Sequence, residues 1–426
     1  MARPYWFRFV EEYRFRQAGG SDTAGLHGES EDDHDLRLAG EGGWRDETDR
    51  YCARASLALW IDADGSTSGA PTGLASIRDD DLRLDIYSAF AEVHNVRWLG
   101  ELRLGRQAAA YGTPVTFDGL HLRLRPLPLL SLFAFGGRTA HFFEAGGESF
   151  DDWMASAGLS VLPVEGLRLE VDYRFTMEDI GLRSGWVDHS YGGTVWYNPL
   201  PWLNLKLNGR GLHDEFSHVG LHARLEFERI HLGARLGADS QLVTLRELNE
   251  RDNPFFRILG ESLPHTRWEA AVWKDFPAGR AGTWSLELGW NGRAVHGDEE
   301  AFNRNGGRLY LLLTAADLGV EGPFVQLAVE DHFATLSPSF DEEGVITAGG
   351  AAGYQDRRLR VEAGSWYQRF RYDYYRDARE VEDVRTVFTA VSWKALEWLQ
   401  VRARYELDLL EDRNLHALLI SLTQSL

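Results

Sequence analysis

Basic side chains recur at alternate positions in several segments of the chain, and acidic side chains are interleaved among them. Guanidinium groups bind carboxylates through two parallel hydrogen bonds, and rows of fixed charge select solutes by sign. This spacing suits a ladder of ion pairs that stiffens a wall. It equally suits a path for charged or polyhydroxylated solutes, and the two do not exclude each other. The basic residues are Arg103, His121, Arg123, Arg125, Arg168, Arg174, Lys206, Arg210, Arg224, Arg402 and Arg404, and the acids are Glu101, Glu170, Asp172, Glu226, Glu406 and Asp408.

Residue groups that would support catalysis or metal binding are not found in the sequence. The 14 His are scattered, and His218 and His222 would lie about 13 Å apart in a strand, so a shared metal is not expected. No Gly-x-Ser-x-Gly segment occurs. The single Cys, Cys52, excludes an intrachain disulfide, a four-cysteine zinc site and a Cys-x-x-Cys-His haem attachment. We therefore expect no enzymatic activity, no metal site and no cofactor.

Alternation at period two extends far beyond these charged residues. In residues 167–175 every odd position is apolar and every even position is charged, and residues 203–210, 221–227 and 399–409 show a similar split. A β-strand separates such residues onto two faces, whereas a helix would scatter them. Many segments run for roughly 10–13 residues, which matches membrane-spanning strands of about 9–11 residues better than soluble strands of about 5–6.

Two kinds of connection alternate between these segments. Tight, apolar connections lie at residues 96–99, 126–129, 163–166, 198–202, 228–230, 277–282, 318–323 and 395–398. Longer, polar and acidic connections include residues 19–33, 65–81, 246–261, 297–306 and 372–383. Bacterial outer-membrane barrels have short periplasmic turns and longer external loops, and on this basis we expect roughly 22 strands, within a range of about 18–22. The predicted strands begin near residues 5, 34, 51, 82, 99, 117, 129, 149, 166, 186, 202, 217, 229, 264, 282, 305, 322, 344, 357, 385, 398 and 414.

This pattern predicts an all-β fold, a single closed antiparallel transmembrane β-barrel that forms one domain over residues 1–426. Backbone groups in lipid are satisfied only when the sheet closes on itself. The tryptophans support this prediction because their rings favour the headgroup level of a membrane. Trp98, Trp202 and Trp398 lie in or beside tight turns, and Trp6, Trp44, Trp153 and Trp186 lie near strand ends.

Charge and hydropathy exclude other classes. The net charge of −20 argues against nucleic-acid binding. No stretch without charged residues reaches the length of about 20 residues that a membrane helix needs, and the apolar stretch at residues 126–137 falls well short of it. No leader peptide is visible, so we expect the mature form of an exported protein. Acidic clusters in the predicted external loops are either simply solvated or bridge to lipopolysaccharide through divalent cations.

Two neighbouring segments resemble a known family. Residues 101–107 (Glu-Leu-Arg-Leu-Gly-Arg-Gln), Tyr111-Gly112 and residues 117–123 (Phe-Asp-Gly-Leu-His-Leu-Arg) resemble the Gly-Arg-Gln … Phe-Asp-Gly pattern of alginate-export-like porins, and residues 7–16 resemble that family's first strand. The resemblance implies an outer-membrane barrel that passes anionic polysaccharide or small polar solutes, with Arg103, Arg106 and Arg123 along the path. Arg106 would face the lumen only if a bulge at Gly105 broke the alternation. The acidic composition departs from that of a polyanion exporter.

The sequence therefore favours an outer-membrane channel through which polar or charged solutes, anionic saccharides among them, diffuse passively. Because a barrel of this size encloses a wide lumen, a smaller strand count, folded-in loops or a lumen-filling partner protein would be needed to narrow it. The alternative function is a sheath around a partner such as a multihaem cytochrome. A TonB-dependent transporter is not expected, because strand-like alternation begins at Tyr5, where an N-terminal plug domain would lie.

Overall fold

The protein is an all-β structure. The computed structural model describes residues 4–20, 31–48, 50–62, 82–109, 115–140, 152–180, 183–243, 263–277, 279, 282–297, 305–334, 344–375, 378–410 and 413–425. None of the helical segments within these ranges has the length and apolar character needed to span a membrane. The strands are β1 (Tyr5–Gly20), β2 (Glu31–Arg45), β3 (Tyr51–Asp62), β4 (Leu82–Val96), β5 (Leu99–Ala108), β6 (Thr116–Leu127), β7 (Leu130–Thr139), β8 (Trp153–Val164), β9 (Leu167–Ile180), β10 (Arg183–Leu200), β11 (Leu203–Leu212), β12 (Glu215–Phe227), β13 (Leu232–Gln241), β14 (His265–Pro277), β15 (Thr283–Val295), β16 (Gly306–Ala316), β17 (Pro323–Ala334), β18 (Gly344–Gln355), β19 (Leu359–Tyr375), β20 (Ala378–Leu396), β21 (Leu399–Leu409) and β22 (Arg413–Ser425).

The strands form one closed barrel. Each strand pairs antiparallel with its neighbours in the chain, and β1 pairs with β22 in a register that runs from Arg8 opposite Ser425 to Gly20 opposite Arg413. This last pairing leaves no open sheet edge, so every strand has a hydrogen-bonding neighbour on both sides. The predicted fold, a closed 22-stranded antiparallel β-barrel, is confirmed.

The two faces of the wall differ in chemistry. On one face, apolar side chains stand largely exposed, among them Leu104 (63%), Leu221 (54%) and Leu288 (51%). Strict strand alternation places the charged residues between them on the other face. A water-soluble protein would cover so large an apolar surface, whereas lipid tails cover it in a membrane.

Tight turns join the strands at one end of the barrel. Trp98, Trp202 and Trp398 lie exposed in these turns, as predicted for rings at the headgroup level. Trp6 also lies near this end, but it shares the lumen-facing side of β1 with Arg8, and the Arg54 guanidinium stacks on its ring. Trp44 and Trp153 are exposed, and the side chain of Trp186 lies outside the described residues.

Asp46 closes the tight turn between β2 and β3. Its carboxylate accepts hydrogen bonds from the Thr48 hydroxyl and from the backbone N–H groups of Tyr51 (2.8 Å) and Arg50 (2.6 Å). These hydrogen bonds lower the pKa of Asp46 to about 2, and the one from Thr48 has the largest effect. The turn therefore depends on the ionised carboxylate.

At the opposite end the predicted connections need correction. The loop predicted over residues 372–383 is wrong, because β19 continues to Tyr375 and β20 begins at Ala378. Asp373 lies opposite Arg379 in the register, so the hairpin extends through residues whose charges resemble those of a loop. Residues 19–20 and 31–33 likewise belong to strands. The other predicted long connections fall largely outside the described residues.

One section of the inner wall, from β5 to β8, is densely packed. Phe117, Phe133, Phe135 and Met154 form a buried cluster on the lumen side, and Ala109 and Val115 pack against it. The Ala109 N–H donates to the Val115 carbonyl (2.7 Å). The described ends of the β5–β6 connection therefore lie against the inner wall, and the loops that were expected to fold inward lie outside the described residues.

Candidate functional site: the charged lumen wall

The strand registers place eleven of the twelve predicted lumen residues on the inner face. Arg103 lies opposite His121, Arg174 opposite Ser190, and Lys206 between Trp196 and His222. The remaining inward positions by register are Arg123, Arg168, Arg210, Arg224, Arg402 and Arg404. Arg125 follows Arg123 by two positions on the same strand face, and both side chains lie beside Gly100. The alternation of apolar and charged residues was sufficient to find them.

One buried charge network is centred on Glu101 of β5. Its carboxylate lies 2.8 Å from Arg103 Nη2, 3.2 Å from Arg123 Nη2 and 3.2 Å from His121 Nδ1. Arg103 also donates to Glu92 Oε2 through Nε (3.2 Å) and Nη2 (3.1 Å). Glu101 and His121 are both buried. A buried carboxylate surrounded by cationic groups is well compensated, so this network ties three strands together.

A second network crosses β9, β10 and β11. Arg210 bonds both oxygens of Asp172, at 3.1 and 3.2 Å, although β10 lies between the strands of these residues. Arg168 donates to Glu170 (2.6 Å) and stacks on Trp196, with 4.6 Å between the guanidinium carbon and the ring centroid. Each of the two networks links three consecutive strands of the wall through ion pairs.

Elsewhere the predicted cations form contacts that are more exposed to solvent. Arg224 pairs with Glu226, and Arg404 pairs with Glu406. Arg402 donates a long hydrogen bond to Gln400 (3.3 Å). These exposed pairs contribute little to stability, and their remaining N–H groups can hydrogen-bond to water or to a solute.

The lumen-facing prediction for Arg106 is wrong. The register continues through Gly105 without a shift, with Leu104 opposite Leu120 and Arg106 opposite Asp118. Arg106 therefore shares the outward face of Leu104, where it forms a two-pronged ion pair with Asp118 (2.7 and 2.6 Å). No bulge at Gly105 turns the side chain inward.

Some lumen residues were not singled out from the sequence. Glu41 of β2 lies 3.6 Å from Arg8 and 3.1 Å from Arg54. The glycines of β2 obscure the alternation of apolar and charged residues in this strand. Arg37 and Glu41 are nevertheless four positions apart, so both face the lumen. His218 and His222, which were considered only as a metal pair and rejected as one, both reach the Asp239 carboxylate, at 3.4 and 3.1 Å, because side chains of this length span the gap left by Gly220.

Three further side chains, Cys52, Glu92 and His94, converge on the inner wall near the tight turns. Cys52 and Glu92 are forty positions apart in the sequence, so their proximity depends on the β3–β4 register and was not predicted. The only local signal was the spacing of Glu92 and His94, which puts both on one face of a strand.

No family model matches the chain, and no curated protein matches it either. Solved structures do match along almost the whole length. The P pilus usher PapC translocation pore superposes with a TM-score of 0.54 at 8% identity, covering 98% of this chain and 99% of that chain. A BenF-like porin from Pseudomonas fluorescens Pf-5 gives 0.52 at 10% identity, covering 99% of both chains. OccK9 (OpdG) from Pseudomonas aeruginosa gives 0.50 at 12% identity, covering 99% and 98%.

The fold is that of an outer-membrane β-barrel. At identities this low the likeness extends to the fold alone, and the function has to be argued from the wall itself.

Proposed function

We propose that this barrel lies in a bacterial outer membrane and acts as a passive channel for small polar or charged solutes. The observation that carries the proposal is the division of a closed barrel wall into an exposed apolar outer face and an ion-paired inner face. Lipid and lipopolysaccharide would cover the outer face, and water would fill the space within. The barrel would need no cofactor for this activity, since diffusion requires only a hydrated path.

The inner wall suits hydrated solutes. Its arginines are mostly paired with carboxylates, as at Arg103, Arg168 and Arg210, so the wall carries both signs of charge. Each guanidinium has five N–H donors, and a single carboxylate does not occupy them all. A solute with hydroxyl or carboxylate groups would exchange its bonds to water for bonds to successive positions along the wall.

The finer proposal is a channel of the alginate-export-like class that accepts anionic saccharides. It is supported by the motif residues of this class, since residues 101–107 and 117–123 fall in the adjacent strands β5 and β6. Within that motif Arg103 and Arg123 share the inner face, and Arg106 does not. We propose Arg103 and Arg123 as the motif positions closest to a passing anion.

Other uses of a large barrel predict different behaviour. None of the three structures reported above is described as a cytochrome sheath, and we do not propose that function. The usher is described as a translocation pore. A barrel wide enough to pass macromolecules would admit much larger solutes than a small-solute channel.

Recording from the untagged protein in planar lipid bilayers tests the proposal. We expect discrete, ohmic single-channel current steps and a measurable reversal potential in a KCl gradient. Polyethylene glycols below a size cutoff should enter the channel and reduce its conductance, and larger ones should not. A barrel that inserts but conducts no ions would refute the proposal. So would admission of polymers of protein-like dimensions, or a requirement for a tightly bound haem protein.

A further inference from the structure

We propose that Cys52, Glu92 and His94 form a binding site for a thiophilic divalent cation, with Zn²⁺ as the best match. The site lies on the inner wall at the end of the barrel that carries the tight turns. It is independent of whether the barrel conducts solutes.

The strand register creates the site. Cys52 is the second residue of β3 and lies directly opposite Glu92 of β4. His94 follows Glu92 by two positions and therefore points to the same face. Its backbone N–H donates to the Arg50 carbonyl (2.8 Å) in the adjoining turn. Two paired strands thus hold all three side chains, without any contribution from a loop.

The donor atoms are spaced as a metal would require. Cys52 Sγ lies 3.7 Å from Glu92 Oε2, and His94 Nδ1 lies 3.2 Å from Glu92 Oε1. One ligand atom from each residue falls within 4.8 Å of the other two. With Zn–S near 2.3 Å and Zn–N or Zn–O near 2.0 Å, a tetrahedral ion separates its ligands by about 3.3–3.6 Å. Small side-chain rotations would therefore complete the coordination.

The surroundings would orient the carboxylate. Arg103 bonds Glu92 Oε2 at 3.1 Å and leaves Oε1 facing His94. Partners that fix a ligating carboxylate in this way are typical of metal sites. Glu92 and His94 are about seven-eighths buried, with 13% and 14% of their side chains exposed, so few water molecules would compete for the donors.

Sulfur, nitrogen and oxygen donors together favour zinc over calcium or magnesium, which prefer oxygen alone. On binding, the Cys52 S–H bond breaks and an S–Zn bond forms, and the proton passes to solvent. Three protein ligands leave a fourth position for water or for an oxygen of a solute in the lumen. Among the residues that the structure describes, no other group of three such donors converges this closely.

Cobalt(II) titration of the untagged, reduced protein in detergent tests the site. We expect a thiolate-to-cobalt charge-transfer band at one equivalent, and we expect Zn²⁺ to displace it. Cys52→Ser should abolish the band, and His94→Gln should weaken binding by at least about tenfold. Glu41→Gln is the matched control, because Glu41 is an inner-wall carboxylate paired with two arginines. It should leave the charge-transfer band and the cobalt affinity unchanged. Cobalt binding without a thiolate band, or equal affinity in Cys52→Ser, would overturn the proposal.

A second measurement needs no variant and no conductance. In the wild-type protein, micromolar Zn²⁺ should slow maleimide alkylation of Cys52, and a chelator should restore the rate. An alkylation rate that Zn²⁺ leaves unchanged would refute the site even if the substituted proteins failed to fold.

Discussion

Replacing Glu101 by Gln should destabilise the barrel strongly. Glu101 is buried, and it lies 2.8 and 3.2 Å from the guanidinium groups of Arg103 and Arg123. At these separations each pair interacts by about 5–6 kcal/mol at an effective dielectric constant of 20. The desolvation of three charged groups offsets part of this gain, and removal of one partner from a buried pair typically costs about 3–5 kcal/mol. Since Arg103 keeps Glu92, we expect a loss near 3 kcal/mol, at the low end of that range.

Guanidinium titration of the barrel in lipid vesicles, followed by tryptophan fluorescence, would measure this loss. Glu226→Gln is the matched control, because Glu226 pairs with Arg224 in an exposed position, and exposed pairs contribute about 0–1 kcal/mol. In a double-mutant cycle, Arg123→Gln should cost less in the Glu101→Gln background than in the wild type. Equal losses in Glu101→Gln and Glu226→Gln, or strict additivity in the cycle, would refute the assignment of Glu101 as the centre of a coupled network.

Three further outcomes follow from the geometry. Arg402→Gln removes a positive charge from the inner wall, so it should shift the reversal potential in a salt gradient towards cation preference. Arg106→Gln, on the outer face, should leave the reversal potential unchanged. Equal shifts in the two variants would show that the outer-face assignment of Arg106 is mistaken. Leu221→Arg, at the middle of β12 and facing lipid, should lower the unfolding free energy by about 2–4 kcal/mol. Thr347→Arg should cost much less in the same titration, because Thr347 lies on the inner face, opposite Glu330, which pairs with Arg308. Because the pKa of Asp46 is lowered in the folded state, the stabilisation that Asp46 provides is complete above its ordinary pKa of 3.8 and is lost as the pH falls towards about 2. Unfolding curves of wild type and Asp46→Asn should differ at pH 5 and converge near about pH 2, and a constant difference would contradict this account.

The architecture was predictable because lipid and water impose opposite demands on alternate residues. A strand such as β9 cannot shift by one residue without turning its charged side chains into lipid. The alternation in residues 167–175 therefore predicted both that the segment is a strand and which of its side chains face the lumen. The same rule placed Arg168, Arg174 and Arg404 on the inner wall. Strand number followed from the turns, which are short and apolar at one end.

Contacts between distant residues could not be predicted in this way. Which residue lies opposite Glu92 depends on the stagger between β3 and β4, and single-strand periodicity carries no information about stagger. The ion pair of Arg210 with Asp172, two strands apart, depends on two such registers at once. The extension of β19 and β20 was missed because residues 372–383 are rich in charged residues, as loops often are.

The pairing of β1 with β22 has a consequence for biogenesis. The residues at this seam are nearly the full chain length apart, from Arg8 opposite Ser425 to Gly20 opposite Arg413, whereas every other ladder joins consecutive strands. Hairpins can thus form in order as the polypeptide arrives, but the first strand must keep one edge unsatisfied until the last has been delivered. That edge is satisfied only by β22, so truncation within β22 would leave the nascent cylinder open rather than merely shorter.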